Sequence, residues 1–317
     1  MIINILLLIL GFILLIKGAD TFVDGASSTA QNFKVSKVLI GLTIVAFGTS
    51  APEFAVSMNA LASKSTDMVL GNVIGSNIMN ILLILGVAAV IHPISIKNNT
   101  VKKELPLTML ISTLLVVLFL DIRLGNNEIN EITRSDAIVI LLFFSIFLYY
   151  LVTLAIDKKK QDKKEEPKFK LGKSILFVIL GLAGIIIGSD LVVDSASKIA
   201  TLLGVSERVI SLTIIAFGTS LPELVTTIIS SRKGEQDLLI GNIIGSNIFN
   251  ICVVLGIPVA IFGGITPGSF QIMDLIMLLI SAFLLYVFSK TYKKITRLEG
   301  ALMLIIFFMY YATVFVI

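Results

Sequence analysis

Cysteine and histidine are almost absent from this chain of 317 residues, which has one of each, Cys252 and His92. A single cysteine cannot form a disulfide within its own chain. Cys252 lies inside an apolar run, whereas His92 lies at a predicted helix end beside Pro93, so the two are in unrelated places. This excludes a metal site built on histidine and cysteine, and also a Cys/His nucleophile pair.

Charged residues are also scarce. They make up 15% of the chain, whereas soluble domains have about 25%. Hydrophobic residues reach 56% and the mean hydropathy is +1.00. Because the apolar residues form long uninterrupted runs, the sequence predicts an integral membrane protein with many helices. The run 2–16 has neither the basic start nor the cleavage site of a signal peptide, so we expect a retained helix.

Ten candidate membrane spans follow one another, with one charged interruption. Several of them, including the first, second, sixth and seventh, exceed the about 20 residues that cross a bilayer, so we expect these to tilt, break or extend past it. Between the fifth and sixth, the charged segment 157–171 contains Pro167 and predicts a solvated linker. The spans are 2–30, 36–62, 67–91, 105–121, 135–156, 172–200, 206–231, 237–262, 272–289 and 298–316.

Lysine and arginine are distributed unevenly between the two sides that ten spans define. The side of the linker carries 19 of them and the opposite side carries five. Because cytoplasmic loops of membrane proteins carry an excess of basic residues, the linker is expected in the cytoplasm and both termini outside. The protein is therefore expected to be a multi-pass protein of the cell membrane.

The two halves of the chain repeat each other at an offset of 170 residues. Segments 35–86 and 205–256 share 25 identities in 52 positions without a gap. We therefore expect two copies of a five-helix unit, 1–156 with core motifs at 41–86 and 172–317 with core motifs at 211–256, joined by the linker. Because five is odd, the copies have opposite orientations. The predicted fold is an all-α polytopic membrane protein of two inverted five-helix repeats, with helices broken at the midplane.

The most unusual motif in the first copy is AFGTSAPE at 46–53, which recurs as AFGTSLPE at 216–223. Pro52 lacks an amide donor and clashes with the carbonyl of Gly48, itself a weak helix former, so the helix should break and free carbonyls. Thr49 and Ser50 lie four and three residues before Glu53 and share its helical face. These groups are all oxygen ligands, which favour Ca²⁺, Mg²⁺ or Na⁺ over Zn²⁺ or Cu²⁺.

A second motif, GNVIGSNIMN at 71–80, recurs as GNIIGSNIFN at 241–250. Asn72, Ser76 and Asn80 follow one another at intervals of four and share one helical face. The glycines alone would indicate close helix packing. Because Ser and Asn share one face and recur in the second copy, we expect this segment to bind a ligand as well as to pack against another helix.

Glu53 and its repeat partner Glu223 are acids in the bilayer, which mark a functional site by default. A buried basic partner would be the structural alternative, but Lys17 is the only basic residue that lies more than two residues inside the ends of an apolar span. Bound cations are therefore the predicted counter-charge. The repeated acids Asp20, Asp24, Asp190 and Asp194 end the long first helices of each copy, where a helix-end or interfacial contact is favoured over a vestibule role.

These paired motifs resemble the two α-repeats of the sodium/calcium exchanger family, in the calcium/cation antiporter superfamily, and the resemblance covers the whole chain. Within that family, the chain resembles the prokaryotic calcium/sodium antiporters. It implies an electrogenic antiporter that exchanges Na⁺ for Ca²⁺ by alternating access, with the first helices of the two repeats sliding past the core. The ligand positions it implies are Glu53, Glu223, Asn80, Asn250, Thr49, Ser50, Thr219, Ser220, Ser76, Ser246 and the carbonyls of Ala46 and Ala216.

Asn250 departs from the pattern of some relatives, which carry Asp there. Potassium-dependent relatives carry an acid at that end, and calcium/proton exchangers carry an acid or His in the second motif, so this chain is less similar to both. Coupling to H⁺ or K⁺ remains the alternative, and a passive cation channel is the next. The short linker leaves no room for the calcium-sensing domains of animal exchangers.

An enzyme is disfavoured, because no nucleophile with a base, catalytic metal motif or phosphate loop accompanies the two glutamates. No cofactor is expected, and the bound ions are the transported Ca²⁺ and Na⁺. The surroundings are membrane lipid. Neither a nucleic-acid partner nor an obligate protein partner is expected, so a monomer would suffice.

Overall fold

The computed structural model describes residues 1–120, 130–156, 166–204, 216–266 and 272–316, and this part of the chain is almost entirely helical. A two-residue ribbon pairs β1 (Ile94–Ser95) with β2 (Lys294–Ile295) in antiparallel register. The helices are α1 Ile2–Phe33, α2 Lys37–Thr49, α3 Ala51–Ala62, α4 Thr66–Ile91, α5 Leu105–Leu118, α6 Arg134–Ile156, α7 Leu171–Leu202, α8 Ala216–Gly218, α9 Leu221–Arg232, α10 Gln236–Phe262, α11 Ile272–Lys290 and α12 Arg297–Val316.

The helix lengths agree with an integral membrane protein. Within the described ranges, six helices are long and apolar enough to cross a bilayer, or seven if the bent pair α2 and α3 forms one span. The predicted spans 135–156 and 237–262 match α6 and α10 to within one residue. Positions 205–215, which include the start of the predicted second core segment at 211, lie outside the described residues. Ten spans and the inverted arrangement stay predictions.

The described residues divide into two compact units. The first comprises Met1–Pro52 with Lys158–Asn242. Its main contact joins α1 to α7 in antiparallel directions, since Gly11 meets Gly188 whereas Gly25 meets Val178. Glycines let the two backbones touch, as small residues do where membrane helices approach closely. Around this contact lies an apolar core that includes Leu15, Ala19, Phe22, Val23, Ala26, Ile185 and Leu238.

The second unit comprises Glu53–Asp157 with Ile243–Ile317. Here α4 approaches α12 closely, because a Cβ on Gly86 would lie 3.1 Å from the carbonyl of Gly300. A Cβ on Gly256 in α10 would lie 3.4 Å from Leu141 in α6. The ribbon of β1 and β2 belongs to the same unit. The two copies of the second motif, 71–80 and 241–250, thus lie on helices with close packing partners, α4 and α10.

Helices α6 and α12 of this second unit begin in the same way. The backbone amide of Thr133 donates to Asp136, and the backbone amide of Asp136 donates back to the Thr133 hydroxyl at 3.2 Å. Thr296 and Glu299 make the same reciprocal pair at the start of α12. These are capping boxes, which satisfy amides that the first helical turn leaves without partners. The last helices of the two sequence copies therefore share a local start that the apolar pattern alone did not indicate.

Candidate functional site

The first GTSxPE motif breaks its helix where the sequence predicts. Helix α2 ends at Thr49, Ser50 leaves helical geometry at φ −86° and ψ 7°, and α3 begins at the next residue. The two helices bend by 45°. Pro52 lies in the first turn of α3, where a missing amide hydrogen costs nothing. The predicted break is therefore confirmed, and it places Ser50 between the helices, directly after Thr49 at the end of α2.

The second GTSxPE motif repeats this break. Helix α8 ends at Gly218, and Ser220 stands at φ −90° and ψ 4° before α9. The carbonyl that the break leaves at Gly218 accepts a hydrogen bond of 3.0 Å from the Ser189 hydroxyl of α7. A side chain from another helix thus satisfies a backbone group that the helix itself cannot, as burial in an apolar medium requires.

Within the first unit, hydrogen bonds join the first broken motif to both motifs of the second copy. The Ser50 hydroxyl donates to Oε1 of Glu223 at 3.0 Å, and the Thr49 hydroxyl donates to Oδ1 of Asn242 at 3.2 Å. Thr49, Ser50 and Glu223 are each completely inaccessible to solvent. Residues from both copies of the sequence repeat therefore share one buried polar cluster.

Glu53 lies in the second unit, in the first turn of α3, and is 1% exposed. Its backbone carbonyl accepts a hydrogen bond of 2.8 Å from the Asn72 amide, which also donates to the Ser57 hydroxyl at 2.9 Å. Asn72 of α4 therefore fixes the position of the first turn of α3, the helix that carries Glu53. The stripe at 72, 76 and 80 predicted from the sequence thus includes a residue that holds the backbone.

The Ser and Asn positions of the second motif are buried in the same unit. Ser76 is 4% exposed, Asn80 1%, and Ser246 and Asn250 are inaccessible. In the described part of the chain, the Ser246 hydroxyl, the Asn80 amide oxygen and both amide atoms of Asn250 have no hydrogen-bond partner. Burying such groups without partners costs about 1–3 kcal/mol each. A bound cation that is coordinated by the oxygen atoms would offset this cost for those atoms.

Pi-helical turns accompany these positions. They span Met79–Leu85 in α4 and Asn250–Leu255 in α10, and a further one spans Gly41–Val45 in α2. Such turns are rare and occur frequently at functional sites, because the extra residue displaces a side chain and weakens the backbone ladder. Sequence reasoning missed them. The apolar residues that form them carry no local signal that separates them from an ordinary α-helix.

The remaining predicted ligand positions are less completely placed. Ala46 is buried in α2, and its carbonyl accepts from the Ser50 amide at 3.0 Å. Thr219 is partly buried and Ser220 is 1% exposed, while Ala216 begins α8. Among the residues that the structure describes, no three His, Cys, Asp or Glu side chains group as a metal site.

Asp20 and Asp24 of α1 make ionic contacts in the first unit. Lys233 lies 2.9 Å from Asp20 and 2.7 Å from Asp24, and Lys168 lies 2.7 Å from Asp24. The hydrogen bond to Asp24 raises the pKa of Lys168 above its ordinary value. Asp194 of α7 pairs with Lys198 one turn away. These acids form ion pairs with lysine, but they lie about two turns or more before the ends of α1 and α7, so the expected helix-end position is wrong.

The chain matches known proteins over nearly its full length. A family model described as sodium/calcium exchanger protein matches residues 3–153 and 173–316. The putative antiporter CaxA of Alkalimonas amylolytica is 39% identical over 98% of each chain. The sodium/calcium exchanger MaX1 of Methanosarcina acetivorans is 33% identical over 99% of each chain.

The fold also matches a solved structure. The sodium-calcium exchanger NCX_Mj, in a crystal soaked with Na⁺ and without Ca²⁺, superposes with a TM-score of 0.85 at 34% sequence identity, covering 98% of both chains. Sequence and fold thus agree over both halves of the chain, including both pairs of motifs. The chain belongs to the sodium/calcium exchanger family and is a multi-pass membrane antiporter.

Proposed function

We propose that this antiporter couples movement of Na⁺ in one direction across the membrane to movement of Ca²⁺ in the other by alternating access, with net charge moved in each cycle. Two related exchangers with these ions in their names, MaX1 and NCX_Mj, support the choice of ions. The proposed orientation, from the distribution of basic residues, has both termini outside and the linker 157–171 in the cytoplasm.

The proposed ligands are the motif residues of both repeats. Glu53 and Glu223 supply the negative charge, and neutral oxygens complete the coordination. Because the same oxygens suit both cations, Na⁺ and Ca²⁺ would compete for them. The neutral set comprises Thr49, Ser50, Thr219, Ser220, Ser76, Ser246, Asn80, Asn250 and the carbonyls of Ala46 and Ala216.

One observation carries this proposal, namely the 3.0 Å hydrogen bond from Ser50 to Glu223 in the first unit. It places a hydroxyl of one repeat against the carboxylate of the other, and both residues are inaccessible to solvent. A buried carboxylate is costly in a membrane unless it is compensated. A transported cation bound beside this carboxylate would supply a compensating positive charge.

Reconstituted vesicles test the coupling directly. The purified protein is placed in liposomes, and uptake of radiolabelled Ca²⁺ is measured with outward gradients of Na⁺, K⁺ or H⁺ imposed one at a time. We expect uptake with the Na⁺ gradient only, and faster uptake when a K⁺-ionophore clamp makes the electrical potential favour the net charge movement. Uptake driven by K⁺ or H⁺ would establish the alternative coupling, and uptake driven by voltage or Ca²⁺ alone would indicate a channel.

Replacing Asn250 with Asp should change the ion preference and make transport sensitive to pH. A carboxylate at this inaccessible position adds a negative charge that strengthens binding of a divalent cation. Because a carboxylate binds cations only when it is ionised, the added effect should disappear as the pH falls through its pKa. Initial rates of Ca²⁺ uptake between acidic and neutral pH measure this change.

Asn59→Asp is the matched control for that substitution, because Asn59 is exposed on α3 and the change adds the same charge outside the proposed site. We expect its pH profile to follow the wild type. If Asn250→Asp keeps both the ion preference and the pH profile of the wild type, position 250 does not face the transported ions.

A further inference from the structure

We propose that Asn247 is a positioning residue that holds the side chain of Asn80 in the orientation that binds a cation. The proposed function gives Asn80 a role as a ligand, and this inference rests on that role. No role follows for Asn247 from the ligand pattern, although it lies inside the GSNIFN motif. The contact between the two asparagines lies within the second unit.

The geometry is a single side-chain hydrogen bond. Nδ2 of Asn80 donates to Oδ1 of Asn247 over 3.3 Å, and both residues are 1% exposed. The amide oxygen of Asn80 has no hydrogen-bond partner in the part of the chain that is described. Asn247 therefore satisfies the nitrogen end of the Asn80 amide and leaves the oxygen end for another ligand.

This division matters because the two ends of an amide act oppositely toward a cation. The oxygen is an acceptor and can coordinate it, whereas the NH₂ group donates only and repels it. When the oxygen binds a cation, the NH₂ group points elsewhere and needs an acceptor, since a buried donor without one is costly. Asn247 supplies that acceptor. Without it, the cation-binding orientation of Asn80 would leave a buried donor unsatisfied, and the affinity would fall.

The repeat provides an internal comparison. Asn77 occupies the equivalent place in the first GSNIxN motif and is also 1% exposed. Within the described ranges, however, neither amide atom of Asn77 has a hydrogen-bond partner. The two residues thus share type, motif position and burial, and they differ in the bond to a proposed ligand. If the loss of any buried asparagine lowered Ca²⁺ affinity, substitutions of Asn77 and Asn247 should have similar effects. If the effect acts through Asn80, only the substitution of Asn247 should lower the affinity.

The experiment compares Asn247→Ala with Asn77→Ala in reconstituted vesicles, by measuring the half-saturating Ca²⁺ concentration and the maximal rate. Loss of a residue that orients a metal ligand costs 10–100-fold in affinity, so we expect the half-saturating concentration to rise about tenfold in Asn247→Ala. The maximal rate should change much less, and Asn77→Ala should stay near the wild type. Equal shifts in the two variants would overturn the positioning role.

A second comparison tests whether the effect acts through Asn80. In an Asn80→Asp background the side chain carries oxygens at both ends and no NH₂ group, so it needs no acceptor at 247. We expect Asn247→Ala to add no further shift there. A shift as large as in the wild-type background would show that Asn247 acts by another route.

Two more variants separate the possible failures. Asn247→Asp keeps an acceptor oxygen and should retain Ca²⁺ affinity, whereas Asn247→Leu keeps the size without an acceptor and should lose affinity even where Asn247→Ala fails to fold. If Asn80→Ala weakens Ca²⁺ binding but Asn247→Leu does not, the ligand assignment stands and the positioning role falls. If Asn80→Ala binds Ca²⁺ as the wild type does, the ligand assignment falls and the positioning role falls with it.

Discussion

Replacing Glu223 with glutamine is expected to abolish Na⁺-driven Ca²⁺ uptake. Glutamine preserves the size of the side chain and can still accept the hydrogen bond that Ser50 donates to Oε1 at 3.0 Å. The substitution therefore removes the charge while it leaves the local packing almost unchanged. A neutral amide cannot balance a divalent cation at a position that is inaccessible to solvent, where screening by water is weak. Changes to residues that only support a ligand already cost 10–100-fold, so the loss here should exceed about a hundredfold.

Initial rates of radiolabelled Ca²⁺ uptake with an imposed Na⁺ gradient measure this loss. Glu166→Gln is the matched control, because it removes the same charge from an exposed residue of the linker side and should transport as the wild type does. The melting temperature in detergent should be similar for the two variants, which separates loss of ligation from loss of folding. Wild-type uptake in Glu223→Gln would remove this carboxylate from the proposed site.

The broken helices could be predicted because their cause is local. Gly48 and Pro52 weaken the same helical turn through the backbone itself, and the structure breaks at Ser50, between them. The second motif has the same residues and the same break at Ser220. Burial of the two glutamates followed from the apolar runs around them. Features that arise within a few residues of sequence were therefore accessible without a structure.

Other features depend on partners far away in sequence and were not accessible. Lys233 meets Asp20 and Asp24 across more than 200 positions, and no pattern along the chain indicates which lysine neutralises which acid. The π-helical turns are similar, because packing against other helices decides whether an apolar run gains an extra residue per turn. The bond between Asn80 and Asn247 also joins opposite halves of the chain. Sequence reasoning thus proposed the residue types of the site, whereas the hydrogen bonds between them required the fold.

Replacing Gly181 with alanine is expected to separate α1 from α7 and to lower the melting temperature strongly. Alanine is the better helix former by about 1 kcal/mol, so propensity alone would predict a gain in stability. The fold predicts the opposite. A Cβ on Gly181 would lie 2.5 Å from the backbone nitrogen and 2.6 Å from the Cα of Phe22. Backbone atoms in the middle of a helix cannot yield as a flexible side chain can, so the helices must move apart.

That movement would reduce the packing of buried residues along the whole contact, among them Leu15, Phe22 and Ile185. Overpacking of a core costs typically about 1–3 kcal/mol, and a clash with backbone should lie at the upper end or beyond. Thermal melting of the purified protein in detergent measures the effect. Gly172→Ala in the first turn of the same helix is the control, because a Cβ there meets nothing within 4 Å, and it should melt at or above the wild-type temperature.

The same pair of variants connects packing to transport. If α1 and α7 move together as the sliding pair that the family resemblance implies, a displaced interface should also slow Ca²⁺ uptake in Gly181→Ala vesicles at temperatures well below melting. Gly172→Ala should keep the wild-type rate. A Gly181→Ala protein that melts with the wild type would show that the two backbones are further apart than described. If Gly181→Ala has a lowered melting temperature but a wild-type rate of Ca²⁺ uptake well below that temperature, the close contact of these helices stabilises the protein without taking part in the exchange.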